Sequence, residues 1–257
     1  MYPRSMADSD CVVVMGSNMA ENHPVAFRWP MQAKVDHGAK LIHVDPRFTR
    51  TSAVADIYAP VRAGSDIAFL GGVIRHVINS ERWNTDPFFR SWLVNYTNAA
   101  TIISPDYKDA EDNDGVFSGL MEYKGGVPEW PYNGFVGQYD DKSWQYSRSA
   151  AGNQGGVAAT AQSGEVPSGP PFDGLVKSLV KPPVQRDETL QNPNCVFQIV
   201  KKHFNRYTPE MVERTTGCPR DTFLKVADTI LANSGADRTT SFAVSYTHLT
   251  LPTIYSV

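Results

Sequence analysis

Long apolar runs are missing from this 257-residue sequence. None approaches the roughly 18 residues that a membrane-spanning helix needs. The N-terminal stretch MYPRSMADSD has no apolar core, so we expect no export signal in it. An excess of basic charge is absent too, because 24 Lys and Arg residues stand against 27 Asp and Glu residues and are scattered along the chain. This balance argues against nucleic acid as a partner.

Cysteine is scarce. The three cysteines, Cys11, Cys195 and Cys218, lie far apart and form no CxxC pair. That spacing supports neither a zinc site nor a disulfide framework, and it predicts buried or incidental thiols. No Ser-His-Asp or Cys-His set follows from the spacing of the other residues. We therefore predict no catalytic residue and no metal ligand in this sequence.

The most informative stretch, CVVVMGSNMAE, begins at Cys11 and is followed by His23-Pro24. Val12–Met15 are apolar and mostly β-branched, which predicts a short strand buried on both faces. Gly16 ends the strand, and Pro24 suits the first position of a helix. A strand, a glycine turn and a helix start form an anion cradle in many α/β proteins. Because GSNMAE is not GxGxxG, a plain strand–turn–helix remains an equal alternative.

The following segments extend this pattern. Helical spacing is predicted for Pro24–His37, with a kink at Pro30 and a stop at Gly38, and a second strand is predicted for Lys40–Val44. Parallel strands joined in this way open onto the same crevice. The predicted buried side of the helix contains Val25, Trp29, Ala33 and Val35.

A third strand is predicted for Ile57–Val61, followed by a turn at Gly64–Asp66 and an amphipathic helix. The apolar stripe of that helix is predicted to be Ile67, Leu70, Ile74, Val77 and Ile78. Further helices are predicted to begin at Pro87, near Cys195, at Pro209 and after Pro219, with strands at Thr101–Ile103 and Thr239–Val244.

Alternating strands and helices predict an α/β fold with a doubly wound, mostly parallel, Rossmann-like sheet and a long irregular insertion. Residues 1–103 are predicted to form the first part of a dinucleotide-binding domain. Residues 104–191 are rich in Gly and Pro and are predicted to be an insertion, and residues 192–244 a helical continuation of the domain. Residues 245–257 are predicted to be a non-native tail.

Several polar residues have both a binding and a structural interpretation. Asp45, at the end of the second strand, could accept a hydrogen bond from a ribose hydroxyl or simply form a turn before Pro46. Asp66 could face the N–H donors of a guanine, but the residues alone favour a helix N-cap. Glu21 could act as an acid or base, or complement a helix dipole.

The histidines also differ in what they indicate. His23 lies at the phosphate-type loop and could face a ligand. His43 and His76, in a strand and a helix, are expected to be packed or surface residues. The residues alone therefore predict a nucleotide- or phosphate-binding α/β domain.

Three segments taken together carry a resemblance: MGSNMAENHP, KLIHVDPRFTRTSAVAD and VRAGSDIAFLGGVI. In this order they resemble the molybdopterin oxidoreductases of the dimethyl-sulfoxide-reductase superfamily, and most of all the large subunits of respiratory formate dehydrogenases. The resemblance implies that these loops hold one guanine dinucleotide arm of a bis-molybdopterin cofactor. The implied contacts are Gly16, Ser17, Asn18, Met19, Ala20, Glu21, Asn22, Val44, Asp45, Pro46, Arg47, Phe48, Gly64, Ser65 and Asp66.

The resemblance also implies a molybdenum or tungsten centre that oxidises formate to carbon dioxide, an iron–sulfur cluster, an iron–sulfur partner subunit and a membrane cytochrome subunit. It implies a location on the periplasmic side of the membrane, with the cytoplasm as the alternative. The family's cluster ligands and metal-binding cysteine or selenocysteine lie upstream of the matching segments. We therefore expect an internal fragment that is inactive alone and ends in a foreign tail, SYTHLTLPTIYSV. Another molybdopterin enzyme, such as a nitrate reductase, and a non-catalytic nucleotide-binding module remain alternatives.

Overall fold

A computed structural model of the chain describes residues 3–113, 115, 118, 141–148 and 183–244. The chain divides into two compact units. The first contains Met1–Trp92 and Phe204–Val257, and the second contains Leu93–His203. The predicted tail, residues 245–257, and most of the predicted insertion lie outside the described residues. The predicted domain boundaries stay a prediction.

The first unit is built on a parallel four-stranded sheet with the order β3-β2-β1-β4. Its strands are β1 (Cys11–Met15), β2 (Lys40–Asp45), β3 (Ile57–Pro60) and β4 (Thr240–Val244). All neighbouring pairs are parallel, with Val13 opposite Ile42 on one side and Phe242 on the other. The α/β fold with a parallel sheet, predicted from the strand and helix pattern, is confirmed.

Nine α-helices occur among the described residues. They are α1 (Met19–Asn22), α2 (Pro24–His37), α3 (Arg50–Val54), α4 (Asp66–Asn79), α5 (Arg82–Thr85), α6 (Pro87–Tyr96), α7 (Val196–Phe204), α8 (Pro209–Thr216) and α9 (Arg220–Ala232). Short 3-10 helices occupy Pro3–Asp8, Ala110–Asp112 and Asp141–Trp144. Within the part of the chain that the structure describes, no helix has the length and apolar character needed to cross a membrane.

The helix ends follow local sequence chemistry. Pro24 occupies the first position of α2, and Gly38 ends that helix in the left-handed region at φ 75°. The Oγ1 atom of Thr208 accepts a hydrogen bond from the Met211 N–H at 3.2 Å, and Gly217 ends α8 at φ 74°. These predicted starts and stops are confirmed, because they depend only on residues close together in the chain.

The sheet is covered on both faces by apolar side chains. Because strand residues alternate between faces, Val13 and Met15 of β1 pack on one side while Val12 and Val14 pack on the other. The first face meets helices α4, α8 and α9 through Phe69, Val73, Val212, Phe223, Val226 and Ile230. The second face meets Met6, Met19 and Phe27. Burial of each such side chain stabilises the fold by roughly 1.5–3 kcal/mol.

The predicted buried face of α2 is correct for Ala33 and for the half-buried Trp29, but wrong for Val25 and Val35. Phe27, Pro30 and Ala33 are buried in α2, whereas Val25 and Val35 are exposed. The three buried residues follow one another at spacings of three, which keeps them within one arc of the helix. Val35 lies two positions beyond Ala33 and so projects away from that arc.

The predicted stripe of α4 is also wrong. Its buried residues are Ala68, Phe69, Gly71, Gly72 and Val73, while Ile67 is 77% exposed. The two glycines mark the packed side, because they allow α4 to approach its neighbours closely. A Cβ atom on Gly72 would lie 2.5 Å from Val212 Cγ2 and 2.7 Å from Phe223 Cζ.

The predicted strand Thr101–Ile103, in the second unit, is wrong as well. Thr101, Ile102 and Ile103 form isolated antiparallel bridges to Arg186, Cys195 and Tyr146. Each residue thus pairs with a different distant segment instead of one continuous strand. No local pattern within this short apolar run distinguishes such bridges from a strand.

Replacing Gly72 with Ala should destabilise the first unit. Alanine favours a helix over glycine by about 1 kcal/mol, but overpacking against Val212 and Phe223 costs about 1–3 kcal/mol. We expect a net loss of stability in urea unfolding. Gly71→Ala is the comparison variant. The atoms nearest to its Cβ belong to the half-buried Tyr207 ring, which can move more readily than the fully buried Val212 and Phe223, so this change should cost less. Equal or greater stability of Gly72→Ala would contradict the packing described above.

Candidate cofactor-binding site

The three predicted loops follow the carboxyl ends of β1, β2 and β3. Met15 pairs with Val44, and Asp45 pairs with Pro60, so the strands end side by side. Since β2 lies between β1 and β3, the loops emerge in a row at one edge of the sheet. The predicted placement of all three loops at one edge is confirmed.

A crevice of about 720 Å³ separates the first loop from the second. This volume lies within the range of small-molecule and cofactor sites. Residues from β1–α1 and β2–α3 line it: Asn18, Glu21, Asn22, Arg47, Phe48, Thr49, Arg50 and Ala53. The third loop, Gly64–Asp66, lies at the same edge of the sheet but does not contribute to this lining.

The first loop presents backbone donors at the end of β1. Gly16 adopts φ 65°, and its N–H donates to Val44 O at 2.9 Å, which is the last rung of the β1–β2 ladder. The next three N–H groups, of Ser17, Asn18 and Met19, have no hydrogen-bond partner among the described residues. The Ala20 N–H donates to Thr51 Oγ1 at 3.0 Å. Within the described part of the chain, these three consecutive amides are open to an acceptor.

One helix was predicted after this loop, but two are found. The helical turn α1 follows the loop directly, and α2 begins only after His23. His23 has φ −135° and ψ 55°, which interrupts the helical path before Pro24. Proline disfavours the helical conformation in the residue before it, and this explains the break.

Polar side chains connect the first loop to α3. Asn18 donates to the Glu21 carboxylate through its amide nitrogen and accepts from Thr51 Oγ1 through Oδ1 at 3.1 Å. Arg50 Nε lies 3.0 Å from Glu21 Oε1. Glu21 is therefore engaged in ion pairing and hydrogen bonding, which favours a structural role over that of a free acid or base.

His43 is fully buried in β2 and connects two of the loops. Its Nε2 lies 3.1 Å from the Ser17 carbonyl oxygen, and its Nδ1 lies 2.8 Å from Ser52 Oγ. Burial lowers the pKa of His43 below its ordinary value, while Asp45 and the Ser17 carbonyl act in the opposite direction. The expectation that His43 is packed is confirmed. His76, by contrast, lies near the surface and contacts Asp228 Oδ1 at 2.8 Å.

Asp45 is almost fully buried at the end of β2. Its Oδ1 accepts the Arg47 N–H at 2.8 Å, which forms the turn that was one of its two interpretations. Its backbone oxygen accepts a hydrogen bond from Tyr58 Oη at 3.1 Å. Asp45 Oδ2 lies 3.9 Å from His43 Nε2.

Of the two interpretations of Asp66, the helix N-cap that the residues alone favoured is wrong, and the ligand contact that the resemblance implies stays a prediction. Ser65 holds the N-cap position and Asp66 is the first residue of the helix. Burial raises the pKa of the Asp66 carboxyl, and the charge of Asp45 raises it further. The second and third loops therefore bring two carboxylates within electrostatic reach of each other.

Other predicted contacts differ in their burial. Val44 and Met19 are buried in the core, so only their backbone could contact a ligand. Pro46, Arg47 and Phe48 are exposed, and the Phe48 ring packs edge-on against Tyr58 at 5.2 Å between centroids. Gly64 supplies a left-handed turn at φ 79°.

Arg50 and Thr51 are among the residues of the site that were not predicted. Arg50 lines the crevice, and Thr51 holds the first loop through Ala20 and Asn18. Both belong to the RFTRTS segment. Its second arginine, Arg50, could have been recognised as a partner for Glu21 of the first loop.

The prediction of inert thiols is confirmed, because all three cysteines are free and buried. Burial raises the pKa of Cys11 to about 12 and that of Cys218 to about 11, which keeps both thiols protonated.

The second unit contains a separate polar group that the sequence did not indicate. Asp109, Glu111 and His203 bring ligand-type atoms within 4.8 Å of one another. His203 Nδ1 lies 3.2 Å from Asp109 Oδ2 and 3.7 Å from Glu111 Oε2. These are the distances of an imidazole held between two carboxylates.

The lowered pKa of His43 should make folding stability depend on pH. Below the ordinary value of 6.5, the unfolded chain protonates His43 while the folded chain resists it. Stability should therefore fall as the pH drops below 6.5, by at most about 1.4 kcal/mol per pH unit. Urea unfolding from pH 8 to 5 should show a flatter profile for His43→Gln. His76→Gln is the surface control, and an unchanged profile for His43→Gln would contradict a neutral buried imidazole.

Comparison with known proteins identifies a family and several relatives of this chain. The family model of the molybdopterin oxidoreductases matches residues 4–212. The chain is 41% identical to the formate dehydrogenase-O major subunit of Escherichia coli over 91% of its length, and 37% identical to the formate dehydrogenase subunit alpha of Megalodesulfovibrio gigas over 96%. It is also 41% identical to the periplasmic nitrate reductase of Desulfovibrio desulfuricans, but over only 35% of its length.

The chain spans about a fifth of the length of its formate dehydrogenase relatives, 18% and 20% in the two cases above, and 12% of the nitrate reductase. The family match covers most of the sheet and all three loops at its carboxyl edge. On this match, the chain belongs to the molybdopterin oxidoreductase family.

Proposed function

We propose that this chain is part of a formate dehydrogenase catalytic subunit and holds one guanine dinucleotide arm of a bis-molybdopterin cofactor. The observation that carries the proposal is the row of three unpartnered N–H groups, of Ser17, Asn18 and Met19, among the described residues. Consecutive amides beside a strand end are suited to the oxygens of a pyrophosphate. Arg47 in the crevice lining adds positive charge, while Arg50 in the same lining is paired with Glu21.

The second and third loops supply acceptors for the rest of a guanine nucleotide. In this proposal Asp45 accepts from a ribose hydroxyl, and Asp66 accepts from the N–H donors of the base. The carboxylates lie close enough for Asp45 to raise the pKa of Asp66. Their order along the sheet edge, after the amides of the first loop, follows the order of pyrophosphate, ribose and base.

When bound, the cofactor supplies a molybdenum or tungsten centre that exchanges two electrons with formate. The residues of this chain bind and orient the cofactor. In the whole subunit we propose an iron–sulfur cluster, an iron–sulfur partner subunit and a membrane cytochrome subunit, with a periplasmic location and the cytoplasm as the alternative. Formate as the substrate is supported by formate dehydrogenase relatives that match more than nine tenths of the chain, two of which are named above.

Asp66→Ala should lower cofactor content more than stability. In this proposal it removes a charged acceptor for the base, which costs about 1.5–3 kcal/mol of cofactor binding. The interaction of the Asp66 carboxylate with the dipole of α4 contributes only about 0.3–1 kcal/mol to stability. Bound pterin should be measured after purification from a host that makes the cofactor, together with thermal stability.

The matched control is Asp221→Ala, which removes an exposed carboxylate from the first turn of α9. It should lose similar stability but retain the pterin. Equal pterin loss in both variants would contradict a binding role for Asp66. Absence of pterin from the unmodified chain would favour a non-catalytic nucleotide-binding module.

The purified 257-residue chain should show no formate-dependent dye reduction. Its three cysteines are buried, and none lies in the loops at the crevice, so no thiol is placed to bind a metal there. The measurement is anaerobic reduction of an artificial dye by formate, with an intact formate dehydrogenase as the positive control. Dye reduction by this chain above the rate without formate would overturn this expectation.

A further inference from the structure

A buried hydrogen-bond chain that passes through His43 reaches the backbone of the first loop. Ser52 Oγ accepts the Thr49 N–H at 2.8 Å, and it lies 2.8 Å from His43 Nδ1. The other ring nitrogen, Nε2, lies 3.1 Å from the Ser17 carbonyl oxygen. Three segments, the first loop, β2 and the start of α3, are thus joined through one imidazole.

The partners determine the tautomer of His43. A carbonyl oxygen can only accept a hydrogen bond, so Nε2 must carry the proton that is donated to Ser17. The unprotonated Nδ1 then accepts the hydroxyl hydrogen of Ser52. Each donor in this chain faces an acceptor, and the opposite tautomer would place two lone pairs against each other at Ser17.

The geometry of a peptide bond extends this effect to the next residue. In a trans peptide, the C=O of one residue and the N–H of the following residue point in opposite directions. The Ser17 carbonyl points inward at His43, which is 0% exposed. The Asn18 N–H must therefore point away from His43, and Asn18 itself lines the crevice.

We propose that His43 is a positioning residue that holds the Ser17–Asn18 peptide so that the Asn18 N–H faces the phosphate groups of the ligand. This inference rests on the proposed function for the identity of the ligand. It assigns the buried histidine of the KLIHVD segment a role in diphosphate affinity without any contact to the nucleotide. Without the hydrogen bond from His43, the Ser17–Asn18 peptide plane could rotate, and the Asn18 N–H would lose its fixed direction.

The first experiment measures nucleotide affinity. GDP and inorganic pyrophosphate should be titrated calorimetrically into the 257-residue chain. His43→Leu removes the donor to Ser17 and should weaken both ligands about tenfold. His43→Gln keeps an amide donor near the position of Nε2 and should stay within about threefold of the wild type, as expected for a retained hydrogen bond. Wild-type affinity for both ligands in His43→Leu would overturn the proposal.

The chain provides a matched control at the other end of β1. His37 Nε2 lies 3.1 Å from the Ser9 carbonyl oxygen, so it makes the same type of contact away from the loops. His37→Leu should bind GDP as the wild type does. If His37→Leu weakened binding as much as His43→Leu, the effect would be one of general stability and the positioning role would be rejected.

A second experiment needs no ligand and separates this inference from the proposed function. Nitrogen NMR of the free wild-type chain should show His43 as the neutral Nε2–H tautomer. The Asn18 amide resonance should be shifted or broadened in His43→Leu and largely restored in His43→Gln. An Nδ1–H tautomer, or an unchanged Asn18 amide in His43→Leu, would overturn the positioning role. Failure of the wild type to bind GDP and pyrophosphate would reject the proposed function and leave this readout to decide the role of His43.

Discussion

The parallel pairing of β1 with β2 is the constraint on which the rest of the site depends. It aligns Met15 with Val44, and its last rung is the Gly16 N–H donated to Val44 O. Beyond that rung, no strand among the described residues takes the amides of the first loop. The same register brings His43 within reach of Ser17. A slip by one residue would turn His43 to the other face and move every apolar side chain of the strand out of its layer.

Local rules account for the parts of the fold that the sequence predicts well. Each of these parts depends on residues that act only on their near neighbours in the chain. They are the apolar run Val12–Met15 and the helix starts and ends at Pro24, Gly38, Thr208 and Gly217. Parallel strands joined by helices must also place their loops at one edge of the sheet. The common edge of the three loops could therefore be predicted from the order of strands and turns alone, before any contact was known.

The remainder depends on residues far apart in the chain. The buried side of α4 is selected by Tyr207, Val212 and Phe223, which close on Gly71 and Gly72 from more than a hundred positions away. The stripe that begins at Ile67 is a strong local signal, yet Ile67 is exposed, because the packed side of α4 is the one on which Gly71 and Gly72 allow a close approach. The partners of His43 are equally non-local, so the sequence could predict its burial but not its hydrogen bonds.

The missing GxGxxG pattern has a physical explanation in this site. The donors of the proposed site are backbone N–H groups, which every residue except proline carries. Only Gly16, at φ 65°, needs a particular residue type, because it turns the chain at the end of β1. Nearby side chains then hold the backbone in place. His43 Nε2 donates to the Ser17 carbonyl oxygen, and Thr51 Oγ1 accepts the Ala20 N–H. A loop that binds through backbone N–H groups places few demands on its own side chains. The stricter requirements fall on the residues that hold its backbone, here His43 and Thr51.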